Sequence, residues 1–140
     1  MSENPAEGDR VSFRFRREEH LKGRKEIREV FNKGRRYGCR GAKLFVLKNN
    51  LQYNRICFTF AKITRKEQPS WNAVSRNRAR RLGRESFRLM KDRLLKGHDF
   101  ILLVYPGEAN VKSERPKKKI ILSDRLNQLE SLFIKAGLLK

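Results

Sequence analysis

The chain has 140 residues, 38% of them apolar, and sets 35 lysines and arginines against 15 aspartates and glutamates, a formal net charge of +20. That length fits one domain with its own core and is short for two. A domain this basic repels itself, so the charge points to a polyanionic partner, nucleic acid before any other, rather than to stability. Twenty of the cations are arginine, whose planar fork suits bidentate phosphate and base contacts. Cys39 and Cys57 have no CxxC spacing and are expected as free thiols in a reducing cytoplasm, not as a disulfide or a metal site. No apolar stretch follows the first residues, and none reaches the roughly 20 residues of a membrane helix. A cytoplasmic protein with no membrane partner is therefore expected.

Residues 1–20 are polar, with Phe13 and Phe15 among Arg14, Arg16 and Arg17, and read as a flexible basic arm that orders on RNA. Residues 21–140 read as one RNA-binding domain. A short helix is predicted over 23–33, with Ile27, Val30 and Phe31 on one face and an end at Gly34. Lys22, Arg24, Lys25, Arg28 and Lys33 keep its outer face cationic. A further early strand is read near 37–40. Residues 43–48 form a strand, closed by the Asn49-Asn50 turn signal. In the next strand, 55–62, Ile56, Phe58 and Phe60 alternate with Cys57, Thr59 and Ala61. The first set is a core face. The second, small and partly polar, either packs under a helix or stays open as a groove, and pattern alone does not choose.

A charged connector with Pro69 leads into a long basic helix, 72–96, ended by Gly97. The continuous apolar run 100–105 has the character of a central strand. Residues 108–119 form a polar, basic loop. Ser123 is placed as the cap of a last helix with Leu126, Leu129, Leu132 and Phe133 in one stripe, ending near Gly137.

At about 100° per residue, the long helix gathers Ala79, Leu82, Gly83, Ser86, Met90 and Leu94 on one side. Arg78, Arg80, Arg81, Arg84, Arg88 and Lys91 fall opposite. From Arg76 to Lys96 the only acids are Glu85 and Asp92, so one or two cations pair internally and the rest need an external anion.

The residue order narrows the anion. Residues 72–88, Asn-Ala-Val-Ser-Arg-Asn-Arg-Ala-Arg-Arg-Leu-Gly-Arg-Glu-Ser-Phe-Arg, closely resemble the signature of the protein subunit of bacterial ribonuclease P, N-A-V-x-R-N-R-x-K/R-R-x-x-R-E/Q-x-F. The resemblance extends to Val30-Phe31-Asn32-Lys33-Gly34-Arg35-Arg36, to residues 55–62 against R-V-G-F-S-V-S-K, to residues 97–104, and to the Lys-Ala-Gly-Leu-Leu ending. It implies an α/β sandwich in the order α-β-β-β-α-β-α, with a mixed sheet and a left-handed βαβ crossover that ordinary topology rules disfavour. Such a domain is shared with some ribosomal and translation proteins.

The same resemblance implies a ribonucleoprotein endonuclease that removes the 5′ leader of precursor tRNA. Its RNA subunit performs the hydrolysis with magnesium, and the protein alone binds no cofactor or metal. This agrees with the residues, which offer no paired carboxylates, no metal cluster and no nucleophile with its base; His20 and His98 stand isolated, and Asp99 opens a strand. By position, Arg76, Asn77, Arg78, Arg80, Arg81, Arg84 and Arg88 inherit the contact with the RNA subunit. Phe31, Phe45, Thr59, Ala61 and Lys62 inherit the leader cleft, which turns the small face of the second strand into an open groove. The implied partners are that RNA and precursor tRNA, with no obligate protein partner.

The chain departs from the family at Ile27, where an aromatic residue is usual, at Ile63 in place of a second lysine, and at Cys57 in place of glycine. The connector 64–71 and the loop 108–119 are expanded. The competing classes are a structural ribosomal-type RNA-binding protein, a DNA-binding module using the basic helix, and a nuclease in its own right. The first lacks a reason for the long signature, the second lacks the short helix-turn spacing, and the third lacks catalytic groups.

Overall fold

The computed structural model describes residues 16–61, 72–105 and 121–140. Phe13, Phe15, Lys62, the 64–71 connector and the 108–119 loop lie outside them. Helix α1 spans Arg24–Lys33, followed by β1 (Arg35–Cys39), β2 (Ala42–Lys48), β3 (Arg55–Phe60), α2 (Ala73–Met90), β4 (His98–Val104) and α3 (Leu122–Ala136). The strands form one mixed sheet in the order β1-β2-β4-β3. β2 pairs antiparallel with β1 and with β4, while β3 and β4 run parallel and are joined by the α2 crossover. The apolar run on β4 is central, as its composition requires: Asp99 to Leu102 are all buried. The third early strand is β1, which hydrogen-bonds to β2 across the Arg40–Gly41 turn; Gly41 has φ +87°, a conformation glycine adopts without strain.

The pleat sorts the side chains onto two faces. One carries Ala42, Leu44, Ile56, Phe100, Leu102 and Val104 beneath α2 and α3, and this is the main core, with Phe87, Met90, Leu129, Leu132 and Phe133. Phe100 meets Phe87 edge-on at 6.4 Å and Phe133 at 5.0 Å. Such pairs add about 0.5–1.5 kcal/mol each beyond the area they bury. The other face carries Phe45 and Ile101, covered by Val30 of α1 and by Leu21, with Ile27, Phe31, Leu47, Cys57 and Leu103 at its margin. α1 is only ten residues long, so it shields part of that face and leaves the rest open.

Three sequence expectations change. α2 stops at Met90, and Lys91–Arg93 tighten into a 3-10 turn that sends Leu94 into the core. Ser123 is not a cap: α3 begins at Leu122, and the exposed Ser123 sits inside its first turn, where the Asp124 carboxylate accepts from the N–H of Ile121 at 2.9 Å. Residues 16–20, expected within the arm, pack on the domain. Glu19 is buried, His20 bridges Ile56, and the Leu21 N–H donates to the Ile56 carbonyl at 3.0 Å. The end of α3 follows expectation: Gly137 takes φ +73°, and Leu138 N–H closes back on the Phe133 carbonyl.

Candidate nucleic-acid interface

α2 is anchored at its start by Asn72, whose Oδ1 accepts from the Ser75 N–H at 3.0 Å. It is held against the sheet by Ala79, Gly83, Ser86, Phe87 and Met90. At Gly83 the helix lies so close to β3 that a Cβ would stand 2.6 Å from the Phe58 ring. This fixes which side faces out. Asn77, Arg81 and Arg84 are exposed, and Arg76, Arg78, Arg80 and Arg88 are half-buried. An open groove lined by Arg78, Arg81, Leu82, Arg84, Glu85 and Arg88 runs along this side.

The local pairs show which cations are already engaged. Arg88 grips Glu85 through Nε and Nη2 at 2.9 and 2.8 Å; that hydrogen bonding holds the Glu85 carboxyl below its usual range. Arg80 donates to Asn77 Oδ1 at 2.9 Å and lies over the Phe60 ring, 5.1 Å from its centroid. Neither Arg81 nor Arg84 has an ion pair among the described residues. Arg88, three residues after Glu85, is thus one of the internally paired cations that the sequence led us to expect.

Lys91 does not belong to the strip. Its Nζ turns inward to Glu19 at 2.8 and 3.1 Å, because the 3-10 turn rotates it off the helical wheel. Leu82 likewise leaves the core face and lines the groove. Phe87, fully buried, takes the place that sequence reasoning gave to Leu82; it falls just beyond Leu94, at the other edge of the apolar side of the same wheel, and was legible there.

The second candidate region is the open part of the sheet beside α1. Phe31 and Phe45 meet edge-on at 4.8 Å. Phe45 is 7% exposed and forms the floor, while Phe31 is half-buried at the rim. Thr59 follows Cys57 along β3 and Ala61 comes just past its end, all half-buried. Burial pushes the Cys57 thiol up, against the pull of Arg80. Register sets Thr59 beside Leu103, Leu103 beside Lys43 and Lys43 beside Gly38. This row has the half-buried Leu103 and exposed Lys43 and Gly38. Lys43 and Leu103 were missed from sequence, although the alternation of β2 sets Lys43 on the Phe45 side. Asp99 acts as a strand-opening residue: it receives Arg55 Nε and Nη2 at 2.8 and 2.7 Å and Asn49 Nδ2 at 2.8 Å.

Among the described residues no group of three potential metal ligands occurs, and no helix is long and apolar enough to cross a membrane. The architecture is that of a known class of small α+β proteins: the ribonuclease P protein of Staphylococcus aureus superposes with a TM-score of 0.67 at 20% identity, over 87% of this chain and 98% of that one. Sequence relatives carry the comparison beyond fold. A ribonuclease P protein component from Clostridium acetobutylicum is 33% identical over 124 residues, 87% of this chain and 92% of its own. One from Borrelia duttonii is 36% identical over 102 residues, 70% and 82%. The sequence model of the family Ribonuclease P matches residues 15–126. The chain belongs to the ribonuclease P protein family.

Proposed function

We propose that this chain binds the RNA subunit of ribonuclease P through α2 and the single-stranded 5′ leader of precursor tRNA through the groove beside α1. In this role it assists removal of the leader in the cytoplasm, with no membrane or obligate protein partner. The observation that carries the proposal is the signature helix itself: its motif arginines line the outer side of α2, and Arg81 and Arg84 stand without ion pairs among the described residues. Each phosphate they meet releases condensed counter-ions, so binding follows salt with a slope of about −0.9 per contact in a duplex.

The groove suits a single strand. Phe31 offers an aromatic rim, Leu103 and Thr59 a small, partly apolar floor, and Lys43 a cation for the backbone; Lys62, outside the described residues, is assigned to the same path. Stacking on such a ring contributes about 1–3 kcal/mol per base with little sequence readout. In this role the hydrolysis belongs to the RNA subunit and its magnesium.

Affinities of the reconstituted particle for leader-bearing and leaderless tRNA test the groove. Leader-bearing tRNA is expected to bind more tightly, and Phe31→Ala to narrow the gap. Equal affinities would remove Phe31, Phe45, Thr59 and Ala61 from the substrate path.

A further inference from the structure

Arg125 lies near the N-terminal end of α3, where the helix dipole disfavours a cation. It is 3% exposed. Nη1 donates to Gln128 Oε1 at 2.6 Å, while the buried Nε meets no acceptor among the described residues. The nearby carboxylate of Asp124 turns to the Ile121 N–H, and no ion pair reaches Arg125 among the described residues. The charged and titratable groups around it are Cys39 of β1, Asp124 on its own helix and Arg78 of α2. Burial above all, with Arg78 adding to it and Cys39 and Asp124 opposing, brings its guanidinium down to about 10.

A buried cation without an anion weakens a fold, and an apolar side chain of similar volume is often neutral or stabilising in its place. No ion pair among the described residues offsets that cost. Arg78, whose charge acts on Arg125, also lines the α2 groove with Arg81, Arg84 and Arg88, so the charge of a phosphate seated there would act on Arg125 as well. A charge set behind the surface strengthens the potential above it.

Resting on the reading of α2 as the RNA-binding helix, we infer that Arg125 is a further element of that interface: a buried cation behind Arg78 whose counter-charge is an RNA phosphate at the α2–α3 seam. The interface thus extends from α2 onto α3.

The test measures melting temperature and the salt dependence of binding to the RNA subunit of ribonuclease P, on the full chain. Arg125→Met is expected to melt at or above the parent, to bind more weakly, and to lower the slope of log K against log salt by about 0.9, one duplex phosphate contact. Arg125→Lys is expected to keep the parental slope. A Met variant with parental affinity and slope, beside a weakened Arg81→Ala, overturns this inference alone. A Met variant that melts well below the parent marks a structural cation and overturns it too, as does a Lys variant whose slope falls as far as that of Met. If neither the parent nor Arg81→Ala shows any dependence on α2, the reading of the helix fails and takes this inference with it.

Discussion

The Glu19–Lys91 pair ties the N-terminal segment to the end of α2, and its removal has a calculable effect. The side chains are 11% and 8% exposed, and Glu19 Oε1 accepts from both Lys91 Nζ and the Arg16 N–H. Lys91→Met leaves the carboxylate buried beside an apolar chain. Breaking a buried pair in this way costs about 3–5 kcal/mol, against about 0–1 kcal/mol for a pair in solvent. Since a domain is stable by only about 5–15 kcal/mol, the midpoint of urea unfolding should drop visibly with little change in its slope. Glu19→Gln combined with Lys91→Met is expected to recover most of the loss, because neither charge then remains. Amide exchange at Leu21, whose N–H is bonded to Ile56, should quicken in the single variant. The folded fraction of Lys91→Met should keep the parental salt slope for RNA, since this cation points inward. A loss under about 1 kcal/mol in Lys91→Met would refute the claim that the pair is buried and structural.

Three further outcomes follow from the geometry. Gly83→Ala should destabilise by about 1–3 kcal/mol despite alanine's better helix propensity, because its Cβ meets the Phe58 ring; an unchanged urea midpoint would show that the helix moves freely off β3. His20 is held below histidine's usual value by burial and then by Arg84 and Lys22, and His98 by burial foremost. The unfolded chain therefore takes up these protons first: their contribution to stability is present above about 6.5 and is lost as pH falls through the depressed folded values. Melting temperatures between pH 7.5 and 5 should decline less in a His20→Gln/His98→Gln variant; equal declines would contradict this. Arg76→Ala with Arg78→Ala and Arg81→Ala should flatten the salt dependence of RNA binding by up to about 0.9 per lost contact, whereas an unchanged slope would place all three in solvent.

Much of this was legible in the sequence because period and composition agreed. The alternation Ile56, Phe58, Phe60 located the core side of β3, and the apolar run of β4 marked a central strand. The motif of α2 announced its outward arginines before any fold existed. What the sequence hid depended on contacts far along the chain. Lys91 reads as one more basic residue until Glu19, 72 residues away, draws it inward. The 3-10 turn after Met90 has no local signal, and it moves both Lys91 and Leu94 off the helical wheel. Phe45 counts as an aromatic platform in one dimension; only the packing of Phe31 against it makes it a floor. Arg125 lies in an apolar stripe by position and a charged residue by type, and only its burial beside Arg78 gives it meaning.

The most direct test of the account is cleavage of precursor tRNA by the ribonuclease P RNA subunit at low magnesium, with and without this protein. On the proposed reading the cations of α2 lessen phosphate repulsion that magnesium otherwise screens, so stoichiometric protein is expected to restore cleavage at the 5′ end of the mature tRNA. Cleavage that stays equally slow with the protein present would contradict the account.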